Sequence, residues 1–342
     1  MSYLTGSVST ISQFMAAIHN AAVSNGWEGL RFNGTEVIIR SPLGDYFALR
    51  ASQGNPDNPG QTSTTIPSGF GFYVYAPTGF NNTQPAFSQP GYSLGYAAKG
   101  HWWRVESTGP YVSYHIFVGD GYLHAILEHK TKHYAHFHIG RLDKKGMADD
   151  GCQYIQTTER SNTYAVMCNS GFPWTMYNYG RTLGQDIAAP NFFNVGNNAV
   201  FGANNVLFVN NFEGRTGRWA YPPAGYFDPN LSVDSPGFVA LGSAYMSGLP
   251  DVARLTSSYN EMTGETLLVP PKVYMRGAQN RIRLVGEVPD TAYCDMTGLE
   301  PGGQFFLGTE EWRVFPLTVF NPNDTDVQNS SGSVGIAHKV VI

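Results

Sequence analysis

Charge is what this chain has least of. Lys, Arg, Asp and Glu make up 14% of its 342 residues, against roughly 25% in an average soluble domain. The net charge is −5, and Lys130, Lys132, Lys144 and Lys145 are too sparse to form the basic stripe that nucleic acid requires. Cysteine is equally scarce. Cys152, Cys168 and Cys294 are an odd, widely spaced set, which excludes a disulfide framework, and no CxxC pair supplies a zinc ribbon. No apolar run approaches the roughly 20 residues that span a bilayer, so membrane insertion is not expected. The opening Met1-Ser2-Tyr3-Leu4-Thr5-Gly6 lacks the basic and apolar regions of a signal peptide. The expectation is synthesis in a cytoplasm. Walker A, nucleophile-elbow and dinucleotide-loop patterns are also missing; Gly69 to Val74 holds a GxG with no third glycine and no following helix.

What is present is aromatic and glycine-rich: 20 Tyr, 21 Phe and 39 Gly. Helices favour straight-chain residues, whereas strands and turns favour aromatics, β-branched residues and Gly. The composition therefore predicts a mainly β protein with antiparallel, sandwich-like sheets. Low charge with many aromatics also matches the cores of protein interfaces. A large β core under uncharged loops explains the same numbers, and composition leaves both readings open.

One helix is expected near the N-terminus. Thr10 stands as N-cap with Gln13 three residues on, a capping-box spacing. Ile11, Phe14, Met15, Ile18 and Ala22 follow on one apolar stripe, and Gly26 occupies the left-handed C-cap position before Trp27. The stripe is expected to pack on the chain's own sheet rather than on a neighbouring subunit. Beyond Leu30 the period becomes two. Strands are expected at Glu36–Arg40, Tyr46–Arg50 and Gly71–Ala76. Tyr111–Val118, Tyr122–His129 and Tyr134–Leu142 form a meander whose first turn is Gly119-Asp120-Gly121. Short strands are expected at Val200–Phe201 and Val206–Val209. C-terminal strands are expected at Thr266–Val269, Arg281–Val285, Gln304–Leu307, Trp312–Phe315 and Val334–Val341, with a turn at Asn329-Ser330-Ser331-Gly332. The chain divides into an N-terminal segment with the amphipathic helix (1–29) and an antiparallel β region (30–149). A loop-rich insertion or second β region (150–260) follows, then a C-terminal β region that completes the core (261–342).

Five of nine histidines fall between 124 and 138: His124, His129, His133, His136 and His138. His136 and His138 lie two apart on one strand and share a face. Such an HxH pair can supply two imidazoles to a metal, six in a trimer. No third ligand sits at a telling spacing, so a polar strand face is preferred and no metal is assigned. Asp149-Asp150 and Glu310-Glu311 are adjacent pairs that point to opposite faces of a strand and form no dyad. Asn321, Asn323, Asp324 and Asp326 lack the Gly and distal Glu of a calcium loop. Trp102-Trp103, Trp174 with Tyr177 and Tyr179, and Trp219 with Tyr221 are candidate sugar platforms, with a core or interface role preferred for each. No catalytic or cofactor-binding residue is assigned, and the chain is read as a non-enzyme.

Three stretches taken together resemble a known group. They are Gly6-Ser7-Val8 with the helix and Asn25-Gly26-Trp27; "YHIFVGDGYLHAILEHK" followed by "YAHFHIGRLDKKG"; and "GEVPDTAYCDMTGLEPGGQFFLGTEEWRVFPLTVF" followed by "SSGSVGIAHKVVI". The set is similar to virion structural proteins of tailed bacteriophages, found among tail and baseplate genes. The resemblance covers about half the chain and leaves out 150–260. It implies a structural subunit in the virion tail or baseplate that contacts other virion proteins and copies of itself, in a multiple of three. It transfers no catalytic residues. Two further readings remain: a receptor- or glycan-binding module at the tail periphery, taking a host surface glycan through the 150–260 loops, and a polysaccharide-degrading enzyme.

Overall fold

The computed structural model describes residues 2–53, 70–90, 101–105, 109–144, 153–159, 204–210, 218–220, 238–241, 266–276, 282–316 and 334–340. Over these residues the protein is mainly β, with one α-helix and three sheets. Strand β1 (Ser2–Gly6) precedes helix α1 (Ile11–Ser24). Next come β2 (Glu28–Phe32), β3 (Glu36–Arg40), β4 (Tyr46–Gln53), β5 (Phe70–Tyr75) and β6 (His101–Val105), an N-terminal sheet in sequential order. The meander β7 (Ser113–Val118), β8 (Tyr122–Lys130) and β9 (His133–Arg141) follows. After it come β10 (Asp143–Lys144), β11 (Gln153–Glu159), β12 (Asn204–Asn210), β13 (Arg218–Ala220), β14 (Phe238–Leu241), β15 (Lys272–Arg276) and β16 (Ile282–Glu287). With β1 these form a central sheet ordered β1-β7-β8-β9-β11-β12-β13-β14-β15-β16-β10. The last four are β17 (Thr291–Asp295), β18 (Gln304–Leu307), β19 (Glu310–Pro316) and β20 (Val334–Val340), a C-terminal sheet ordered β17-β20-β19-β18. Among the described residues pairing is antiparallel apart from the single bridge Ala220↔Phe238.

Helix α1 begins and ends where its sequence dictates. The Thr10 side chain accepts from Gln13 N at 3.2 Å, and the Gln13 side chain accepts from Ser9 N at 2.7 Å. At the other end Gly26 N donates to Val23 O and Trp27 N to Ala22 O, each at 3.1 Å. This double closure needs a left-handed residue, and Gly26 has φ +82°. The stripe Ile11, Phe14, Met15, Ile18 and Ala22 is buried and packs within the chain. It shares one buried cluster with Val37, Phe47 and Phe72 of the N-terminal sheet and Ile116, Leu123 and Phe137 of the central sheet. The ring centroids of Phe72 and Trp103 lie 4.6 Å apart, and those of Phe72 and Phe137 4.9 Å. Each such buried side chain contributes about 1.5–3 kcal/mol.

Polar pairs lock the layers. Trp27 Nε1 donates to Gly119 O at 2.9 Å. Arg141 grips the buried Asp45 carboxylate through Nε and Nη2 at 2.8 and 2.7 Å. That clamp ties the turn between β3 and β4 to β9.

Two sequence expectations change. Thr266–Val269 is not a strand. Val269 and Tyr293 exchange one pair of backbone hydrogen bonds, and Pro270-Pro271 then supplies no donor to extend the ladder. Strands β1, β2, β6, β10, β11, β13, β14, β15 and β17, which are short or lack clean alternation, are not expected from the patterning. Expected features at Val200–Phe201 and Asn329–Gly332 lie outside the described residues. So do Asp149-Asp150, Asn321 to Asp326, Trp174, Tyr177, Tyr179, Tyr221, Cys152 and Cys168.

Candidate functional site

Strands β7, β8 and β9 are covered on both faces. Alternation sends Ile116, Val118, Leu123, Ala125, Leu127, Ala135, Phe137 and Ile139 toward α1 and the N-terminal sheet. The opposite face carries Phe117, Tyr122, Ile126 and Tyr134, which pack on Cys294, Met296, Val314 and Phe315 of the C-terminal sheet. The histidines lie in this second layer.

His124 and His138 are directly opposed across β8 and β9, and their rings stack with centroids 4.2 Å apart. His338 of β20 reaches the same point from the C-terminal sheet. Its ring centroid is 5.0 Å from that of His138 and 5.5 Å from that of His124, edge-on to both. It stacks on Phe117 at 4.7 Å. One ring nitrogen from each of His124, His138 and His338 falls within a 4.8 Å cluster. All three are buried: His124 is 1% exposed, His138 and His338 0%.

The surroundings are specific. His124 Nε2 and Tyr154 Oη lie 2.5 Å apart. Tyr122 stacks on His124 at 4.5 Å, and its hydroxyl donates to Asp290 Oδ2 at 2.9 Å. Neither ring nitrogen of His338 has a hydrogen-bond partner among the described residues. A neutral imidazole carries one donor and one acceptor, so His338 is a buried polar group left unsatisfied by the described residues.

Burial sets the protonation states. It holds His338 well below the usual imidazole range, with His124, His136 and His115 adding to the effect. It likewise holds His124 well down. His136 is pushed down to about 4 by burial, against the opposing bond to Pro316 O. His115 is also lowered to about 4, by burial and then by Arg313. Tyr154 and Tyr122 are pushed far up by burial and by nearby carboxylates, Asp143 and Asp290 for Tyr154. They are therefore neutral phenols near pH 7. Neutral imidazole is the form that ligates metals.

The HxH pair is divided by the fold. His136 and His138 share the face, with centroids 6.0 Å apart, but His136 Nε2 donates to Pro316 O at 2.9 Å. His138 joins His124 and His338 instead. His129 and His133 face each other at 5.9 Å, near the turn between β8 and β9. Sequence reading missed His338 and Tyr154. The available signal was a histidine inside the apolar closing strand Val334–Val340, yet nothing local says which strand it crosses.

The other candidates separate similarly. Trp103 is fully buried against Phe14 and Phe72, so it serves the core. Glu310 pairs with Lys339, and Glu311 with Arg313 at 3.2 Å, so the adjacent carboxylates engage different cations. Cys294 is buried and its thiol is pushed up by burial, which makes it unreactive. Among the described residues no helix is long and apolar enough to cross a membrane. Comparison with protein-family models and with curated proteins finds no match.

Proposed function

We propose that the chain is a structural subunit of a tailed-bacteriophage virion, in the tail or baseplate. It works through contacts with copies of itself, in a multiple of three, and with other virion proteins. The sequence resemblance suggests the setting. The observation that carries the assembly role is strand β18, among the described residues an edge of the C-terminal sheet, whose Phe306 and Leu307 are 61% and 55% exposed. An edge strand presents unpaired backbone groups, and an apolar one invites pairing with another chain. Its four-residue length blunts it in part, but no charge or proline stands within it. An assembly subunit uses it.

The test is particle composition together with an edge variant. Mass spectrometry of purified virions should find the chain in a fixed ratio to other structural proteins. Replacing Phe306 and Leu307 with Asp should prevent incorporation while the isolated chain still folds. Virions that lack the chain would sink the reading.

A further inference from the structure

We propose that His124, His138 and His338 form a binding site for one divalent transition-metal ion, zinc in the first place, which cross-links the central and C-terminal sheets. Three features carry it. Imidazoles from three strands and two sheets converge within one cluster. His338 brings two buried ring nitrogens without a hydrogen-bond partner among the described residues, which a metal bond would resolve at one nitrogen. Tyr154 supplies the outer contact that ligating histidines typically have. With Nε2–H of His124 donating to Tyr154 Oη, the lone pair on Nδ1 is left for the ion.

The dimensions fit after small movements. Nitrogens bound to zinc at 2.0–2.1 Å in a tetrahedron are about 3.3 Å apart, and the cluster spans 4.8 Å. Ring rotations of about an ångström close that difference. The donor set is imidazole alone, which suits zinc, copper, nickel or iron and disfavours calcium and magnesium. Three neutral ligands leave the ion's charge uncompensated in the first shell. The carboxylates of Asp290 and Asp143, which act on Tyr122 and Tyr154, supply negative charge behind it. Three protein ligands leave the fourth position of a tetrahedral ion to a water, and full burial of the three rings favours a structural cross-link. It is independent of the virion reading, since it concerns the isolated chain.

The test uses the full-length chain without a histidine tag, stripped with chelator and reloaded with zinc or cobalt(II). Elemental analysis after dialysis should find about one ion per chain, and zinc should raise the melting temperature. His338→Gln should abolish both. His136→Gln, which alters a neighbouring imidazole outside the trio, should retain both. Cobalt(II) should show the intense visible bands of a four-coordinate site. Sub-stoichiometric metal in the unsubstituted chain overturns the proposal, as does full occupancy that survives both His338→Gln and His124→Gln. If His338→Gln does not fold, the stoichiometry and cobalt spectrum of the unsubstituted chain decide alone: one bound ion with four-coordinate bands sustains the site, and their absence refutes it.

Discussion

The two faces of β7–β9 are built from different chemistry. Toward α1 the strands present aliphatic side chains and Phe137. Toward the C-terminal sheet they present His115, His124, His136 and His138 among Phe117, Tyr122 and Tyr134. The first interface is held by burial of hydrocarbon, which is non-directional and does not respond to proton concentration. The second needs each imidazole to be neutral and oriented. Hydrocarbon makes a core, whereas imidazoles make an interface that pH, and on our proposal a metal ion, can strengthen or release.

The comparison is tested most strongly by truncation on the hydrocarbon side. Phe137→Ala removes a fully buried ring packed on Phe72. It should cost about 3–5 kcal/mol in chemical denaturation, with little change in the loss between pH 7 and pH 5. A loss below about 1 kcal/mol would mean that this face is not the main core.

Acid should act on the other side. Burial holds His136 at about 4, while an imidazole in the unfolded chain titrates near 6.5, so the unfolded state takes up protons first as pH falls. Stability should be complete above pH ~6.5 and decline as pH drops toward 4, by up to about 3 kcal/mol from His136 alone. His136→Gln should flatten that slope. Hydrogen exchange should show β20 losing protection before β3. A flat pH profile would contradict the burial of these rings.

Smaller effects sharpen the contrast. Tyr154→Phe removes the hydroxyl beside His124 Nε2 and should cost about 1–2 kcal/mol, read as a lower denaturation midpoint. Thr10→Ala removes the N-cap of α1 and should cost about 1 kcal/mol, with no effect on the acid transition. A Thr10→Ala variant that shifted the acid transition would show that the two faces are coupled.

Much of the fold could be read residue by residue. Strands β3 and β18 have the expected bounds, Glu36–Arg40 and Gln304–Leu307. The meander, its turn and the helix caps also follow from local chemistry. A cap is a contact three residues long, and a hairpin is closed by its own turn. The predicted mainly β class, with its antiparallel pairing, follows from the same signals.

What sequence alone determined, then, was the helix, the meander and the clearer strands with their inward faces, including the shared face of His136 and His138. What tertiary structure decided was who meets whom. His338 lies 200 residues from His138 in the chain, and its approach depends on the C-terminal sheet docking over the meander. Contacts of that range leave no periodic trace, because strand alternation records which face a side chain takes but not what covers it. The same docking turned His136 toward Pro316 O and left its neighbour on the shared face to join His124 and His338.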